Sequence, residues 1–289
     1  MIIDTFLFNK DFNTLQIRLE ELYEIVDLFV ICESKFTFSG EQKPLYLSQN
    51  LDTITKYRDK VRIVVESKRH LTRIPFIREI HQRKVISKFI SSFGLRSNDL
   101  IIYSDCDEIP RRESIVSLFG NVECNAILEM RNFTNYLNME LGTWSRARVV
   151  SGKNYKSIES MREDIHLFTI QKNRQGLKRF ITRVPYYWTT RNFYLWKLPK
   201  VFKPRQLDII SNAGWHFNNL FSVSDILVKV ESSAHQELNN SNLKSNLFDR
   251  YLSGKDIYFG HQYNKVAIDN TFPKSVYNEI EKWKNYIYL

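Results

Sequence analysis

The run Asp105-Cys106-Asp107-Glu108 sets two carboxylates one residue apart, with a third beside them and Pro110 closing the turn. At the end of a strand, carboxylates so spaced can converge on one hard cation through oxygen ligands. A Mg²⁺ or Mn²⁺ held there bridges diphosphate oxygens and neutralises charge as a phosphate group departs. The plainer role for the same residues is a solvated acidic turn that caps a helix beginning near Arg111. Their position directly after the apolar run Leu100–Tyr103 keeps the chemical reading in play.

Such a turn needs a scaffold. Residues Ile2–Phe8 form a β-rich run ending at Asn9, and Leu15, Leu19, Leu22 and Val26 then recur at helical spacing, with Asp11 or Asn13 as N-cap. Residues 28–32 and 61–65 are short, nearly unbroken apolar runs, as expected of strands covered on both faces. Residues 76–93 read as a helix, and Leu100–Tyr103 and 125–130 as further strands. This alternation predicts an α/β fold with a mostly parallel sheet flanked by helices. Ligands of such sheets bind beyond the carboxyl ends of the strands, here Asn9, Glu33 and residues 105–108. The second half is less regular, with helical patterns at 222–232, 243–252 and 275–286. No Gly/Ser/Pro-rich linker divides residues 1–289, so one domain is expected.

The balance of 43% hydrophobic and 26% charged residues excludes a disordered chain, and the lack of an internal repeat excludes a solenoid. No apolar stretch reaches the roughly 18 residues that a membrane span needs. The opening MIIDTFLFNK lacks the pattern of a secretory signal. Cys32, Cys106 and Cys124 have neither disulfide nor zinc spacing, so a reduced, cytoplasmic protein is expected. The net charge of +10 is concentrated: ten basic and no acidic residues fall between Lys172 and Arg205, interleaved with eight aromatics. That surface attracts nucleotides, nucleic acid, acidic glycans or the face of a membrane, the last implying peripheral association. A non-catalytic glycan- or nucleic-acid-binding protein using segment 172–205 is therefore the alternative to an enzyme. It leaves the carboxylates at 105–108 unexplained, since they repel phosphates unless a metal is present, and no nucleic-acid partner is expected. A phosphatase of the haloacid dehalogenase type also places D-x-D after a strand, but after its first one; here the motif comes a third of the way along.

Several segments in order resemble glycosyltransferase family 17, the family of the β-1,4-mannosyl-glycoprotein β-1,4-N-acetylglucosaminyltransferases. They begin with Asp4-Thr5-Phe6-Leu7-Phe8-Asn9, Leu15-Gln16-Ile17-Arg18-Leu19-Glu20-Glu21-Leu22 and Val26-Asp27-Leu28-Phe29-Val30-Ile31-Cys32-Glu33-Ser34. Thr37-Phe38-Ser39-Gly40, Lys43-Pro44-Leu45 and the metal-site signature Ser104-Asp105-Cys106-Asp107-Glu108-Ile109-Pro110 follow. Ala213-Gly214-Trp215-His216-Phe217, Ala234-His235-Gln236-Glu237, Gly254-Lys255-Asp256 and Phe272-Pro273 complete the series. The resemblance implies a GT-A-like single domain, with a nucleotide-sugar-binding half over 1–130 and an acceptor-side half over 131–289. It also implies a UDP-sugar donor (UDP-GlcNAc first), a divalent metal and inversion at the anomeric carbon. Animal members carry an N-terminal anchor and this sequence opens at the catalytic region, so a microbial or viral surface glycan is the expected acceptor.

On that resemblance Asp105, Asp107 and His235 are the metal ligands, with Glu108 holding the metal's waters or capping the next helix. Phe8, Asn9 and Glu33 would receive the base and ribose of the donor, a carboxylate accepting from ribose hydroxyls. Lys43, Arg78 and Arg83 would neutralise the diphosphate. Inversion needs a base for the acceptor hydroxyl, for which Glu237 stands first and His216 second. The choice between His216 and His235 as metal ligand stays open at this point. Trp188 and Trp196 offer faces on which an acceptor sugar could stack.

Overall fold

Period-two alternation along the first strand sets the architecture. In a computed structural model, which describes residues 1–162 and 207–289, β1 (Ile2–Phe8) turns Ile2, Phe6 and Phe8 to one apolar cluster and Ile3 and Leu7 to another. Helix α1 (Phe12–Leu22) covers the first face with Leu15, Leu19 and Leu22, each fully or almost fully buried and contributing about 2 kcal/mol. After β2 (Leu28–Ser34) come the short α2 (Tyr46–Gln49), β3 (Val61–Glu66) and α3 (Pro75–Ser91), which lays Ile86 and Ile90 on the second face. With β4 (Leu100–Tyr103) the first four strands run parallel in the order β3-β2-β1-β4.

The sheet continues through β5 (Glu108–Pro110), β6 (Asn125–Thr134), β7 (Met139–Ser151), β8 (Asp208–Ile210) and β9 (Gly214–Asn218). Its order beyond β4 is β7-β6-β9-β5, antiparallel at β4-β7, β7-β6 and β9-β5, and parallel where β6 meets β8 and β9. The expected mostly parallel sheet flanked by helices is present and is consistent with a GT-A-like single domain. Helices α4 (Arg112–Leu118), α5 (Val223–Ser232) and α6 (Ser241–Leu252) complete the elements used below. Among the described residues no helix is long and apolar enough to cross a membrane.

Three local expectations change. β2 runs two residues past 32, so Glu33 lies inside the ladder opposite Phe8 rather than beyond the strand end. β5 separates the acidic turn from α4, so residues 105–108 cap no helix directly. The helix expected over 275–286 is a short turn at Lys274–Tyr277 and a 3₁₀ segment at Ile280–Tyr286, broken where Glu279 adopts φ −118°. The buried Trp283 donates its indole N–H to the Ser275 carbonyl at 2.9 Å, which folds the two pieces together.

The contact of β5 with β9 is close enough to require glycine. Gly214 has φ +152°, and a Cβ there would lie 2.1 Å from the Ile109 carbonyl oxygen. Gly214→Ala should cost about 2 kcal/mol or more in urea denaturation by forcing the two strands apart; an unchanged midpoint would refute this account of the contact.

Candidate active site

The acidic turn is held from below by one side chain. Arg18 projects from α1 with no exposed surface and pairs through both its Nε and one terminal nitrogen with Asp4 of β1, at 2.8 and 2.7 Å. The same guanidinium donates to the carbonyls of Asp105 (2.8 Å) and Glu108 (3.0 Å) and to Ser104 Oγ (2.8 Å). Cys106 packs into the first cluster beside Thr14, so the middle of the Asp105–Asp107 turn is anchored in the core. Its far side is closed by β9, where Glu108 pairs with His216 and Phe217 donates its N–H to the Asp107 carbonyl at 2.9 Å. Two segments more than a hundred residues apart in sequence thus become adjacent strands.

Among the described residues two cations meet these carboxylates. Arg162 bonds Asp105 at 2.7 Å and lies 3.5 Å from Glu108. Lys229 of α5 donates to Asp107 at 3.0 Å and stands 3.6 Å from Asp11. Asp11, at the N-cap position of α1, makes no capping bond with its side chain and belongs instead to this cluster. Burial, aided by the charge of Asp107, raises the Asp11 pKa to about 6 although Lys229 opposes the rise. Glu108 is fully buried; it accepts from the Trp144 indole at 2.6 Å and from the Asp105 N–H at 2.9 Å. Burial and the neighbouring Asp105 push its pKa up to about 7. Burial also acts to raise Asp107, but the charge and hydrogen bond of Lys229 lead the opposing causes, and the carboxyl stays below its ordinary range.

His216 gives the cluster its polarity. The amide of Asn132 donates to the Leu141 carbonyl, which turns its oxygen toward His216 Nδ1 at 2.8 Å. The Nδ1 proton is engaged there, so Nε2 presents a lone pair to the Asp107 carboxylate 3.8 Å away. Burial lowers the imidazole pKa to about 4, so it stays neutral at pH 7, and Trp144 stacks on it at 4.3 Å. Two acceptors facing each other call for a cation between them. Among the described residues no three His, Cys, Asp or Glu side chains are grouped as a metal centre, and Arg162 and Lys229 occupy the carboxylates of Asp105 and Asp107. The donor chemistry fits one: carboxylate oxygens with a neutral imidazole suit Mn²⁺, and oxygens alone suit Mg²⁺.

A cleft opens beside the cluster, lined by Asn9, Lys10, Thr37, Lys43, Tyr46, Asp225, Lys229 and Ser232 among others. Asn9 donates to Ser232 Oγ at 3.2 Å, and Lys10 pairs with Asp225 at 2.5 Å. The Lys43 ammonium is shielded from solvent without a hydrogen-bond partner and lies 5.2 Å over the Tyr46 ring. Its burial pulls the pKa down, against the attraction of Glu33.

Of the residues expected to act, the structure brings together Asp105, Asp107 and His216, and beside them Asn9 and Lys43. The remaining side chains have other partners. Both Glu33 oxygens accept from α2, from Leu47 N–H, Ser48 N–H and Ser48 Oγ, so this buried carboxylate is taken up as a helix cap, not offered to a ribose. Phe8 is buried against Phe12 in the core. Arg78 donates to the carbonyls of Phe38, His70 and Thr72, tying two loops together, and Arg83 is buried on Tyr103 and Glu79. Neither guanidinium is free for a diphosphate. His235 is half exposed, bonded to Glu237 at 2.7 Å and edge-on to Phe76, while His216 is the histidine that stands on the acidic cluster. Trp188 and Trp196 lie outside the described residues. Sequence reading gave no site role to Arg18, Asp11, Trp144, Arg162 or Lys229. Only Arg18 left a usable mark, as an arginine inside the apolar stripe Leu15, Leu19, Leu22.

Two outcomes test this geometry. Arg18→Met leaves Asp4 buried without its partner and should cost about 3–5 kcal/mol in urea; a loss under 1 kcal/mol would show that the pair does not hold the turn. Glu108 and Asp11 keep protons in the folded protein that the unfolded chain has released. Their contribution to stability is present below the unfolded values and is lost as pH rises through the folded ones. In EDTA, stability should therefore fall from pH 4.5 to about 7 through Glu108, and Glu108→Gln should flatten that slope. An identical slope in the variant would exclude Glu108 as its source.

Residues 1–164 match the sequence profile described as Glycosyltransferase family 17. A stretch of 131 residues is 31% identical to the beta-1,4-mannosyl-glycoprotein 4-beta-N-acetylglucosaminyltransferases of Rattus norvegicus and Homo sapiens, and 30% identical to that of Mus musculus. It covers 40% of this chain and 23% of each relative, so the chain spans under a quarter of the length of the curated proteins it matches. With more than half of its residues inside the profile, and with the acidic turn lying in that half, the chain belongs to glycosyltransferase family 17.

Proposed function

We propose that this chain is an inverting, metal-dependent glycosyltransferase that moves N-acetylglucosamine from UDP-N-acetylglucosamine to a glycan acceptor, a microbial or viral surface glycan. The observation that carries the reading is Lys43: a solvent-shielded ammonium without a hydrogen-bond partner, in a cleft that shares Lys229 with the acidic cluster. A shielded cation costs free energy unless an anion completes it. Lys43 and Lys10 line that cleft with Tyr46 and Asn9, and the two lysines would meet the phosphates of a nucleoside diphosphate bound there. The names of the relatives support N-acetylglucosamine as the sugar.

Asp105 and Asp107, with Asp11 and His216, would hold the divalent cation, which would neutralise the diphosphate as it leaves. Arg18 keeps the turn's two carbonyls, and so its carboxylates, in place. Trp144 shields Glu108 and His216 from water on one side, which strengthens every charge interaction behind it. For the proton of the acceptor hydroxyl we assign Glu237, a partly exposed carboxylate oriented by His235. His216 is the weaker choice as a base because burial has made it reluctant to take a proton.

Calorimetry with UDP-N-acetylglucosamine should show binding with Mn²⁺ that disappears in EDTA and in Asp107→Ala. Lys43→Met should weaken that binding by about tenfold, the worth of one charge-assisted contact. Glu237→Gln should keep donor affinity and lower kcat by about 10² or more. Folded protein that binds no nucleotide sugar in the presence of Mn²⁺ would sink the proposal.

A further inference from the structure

We propose that Lys229 is the resident cation of the acidic cluster, and that a divalent metal enters by displacing its ammonium from Asp107 and Asp11. This rests on the reading of the cluster as a metal-dependent donor site. Lys229 Nζ is 3.0 Å from one carboxylate and 3.6 Å from the other, so both oxygens already converge on a single positive centre. On the other oxygen of Asp107 the His216 Nε2 lone pair waits at 3.8 Å, unsatisfied by the ammonium. One ammonium therefore meets the charge requirement of the cluster only in part. A dication that takes both Asp107 and Asp11 as ligands needs the place the ammonium fills, so the lysine is the group that must leave.

The lysine has somewhere to go. Its side chain is 22% exposed, it lies 4.9 Å over the Phe221 ring, and it lines the cleft together with Lys10 and Lys43. The four-carbon stem lets an ammonium swing where a guanidinium fork would be fixed. Two carboxylates with one lysine carry a net charge of −1. Exchanging the lysine for a dication makes the pair neutral and frees one positive charge for the cleft, where a diphosphate needs it. The same residue thus holds the cluster together when it is empty and faces the donor when it is loaded. Arg162 performs no such exchange with Asp107, because its partners are Asp105, Glu108 and the Arg146 carbonyl.

The experiment titrates Mn²⁺ alone, without nucleotide, into wild type, Lys229→Met and Lys229→Arg. Free Mn²⁺ is read by electron paramagnetic resonance and thermal midpoints are recorded in EDTA and in Mn²⁺. Removing the competitor should tighten Mn²⁺ binding by about tenfold or more. Lys229→Met should also melt lower than wild type in EDTA and gain a larger upward shift when Mn²⁺ is added. Lys229→Arg supplies a fork that grips both carboxylates, so Mn²⁺ should bind it more weakly than wild type, a readout that survives if the methionine variant fails to fold. Equal or weaker Mn²⁺ affinity in Lys229→Met, or unchanged affinity in Lys229→Arg, overturns the proposal. If wild type still binds UDP-N-acetylglucosamine with Mn²⁺, that failure is confined to Lys229; if wild type binds neither metal nor nucleotide sugar, the functional reading fails with it.

Discussion

The buried pairing of Arg18 with Asp4 is the constraint on which the site depends. Two ions taken out of water are costly, and mutual attraction offsets that cost only when the remaining donors and acceptors are also satisfied. Here they are: the guanidinium spends its other N–H groups on two carbonyls of the acidic turn and on Ser104. A charged pair that an apolar residue could have replaced is thereby made useful. It links β1, α1 and the turn after β4 in one bonded unit, and the turn cannot shift without leaving an arginine unsatisfied.

Above that unit, like charges are kept close by unlike ones. Asp11, Asp105, Asp107 and Glu108 would repel each other in a space this small. Lys229 and Arg162 reduce the repulsion, and Glu108 escapes it by holding its proton to about pH 7. The neutral His216 and the Trp144 stacked on it complete a low-dielectric wall. Such a cluster is poised rather than relaxed, since Asp107 and Asp11 share one ammonium that a stronger cation could replace.

The cleft extends the same logic toward a ligand. Lys10 is neutralised by Asp225, Lys229 by the cluster, and Lys43 by no hydrogen-bonding group. The positive potential left over is local and close to the carboxylates, the pattern that a metal-bridged diphosphate requires.

Periodicity and local composition were enough to read the first strands, α1 and α3, the parallel α/β class and the strand-end location of Asp105 and Asp107, because all of these follow from neighbours in sequence. Family-like segments added the likeness to glycosyltransferases. Partner choice was not legible. Glu33 and Arg78 have the same residue types as true ligand contacts, yet a helix N-terminus and three loop carbonyls claim them. His216 and His235 were equivalent in sequence, and only the pairing of β9 with β5 put one of them on the acidic turn. Lys229 and Arg162 carried no local signal at all, because what makes them matter is charge brought within 3 Å of Asp107 and Asp105 by elements far away in the chain. Short-range order is written in the spacing of side chains, whereas the electrostatics of a buried site is decided by which distant elements pack against it.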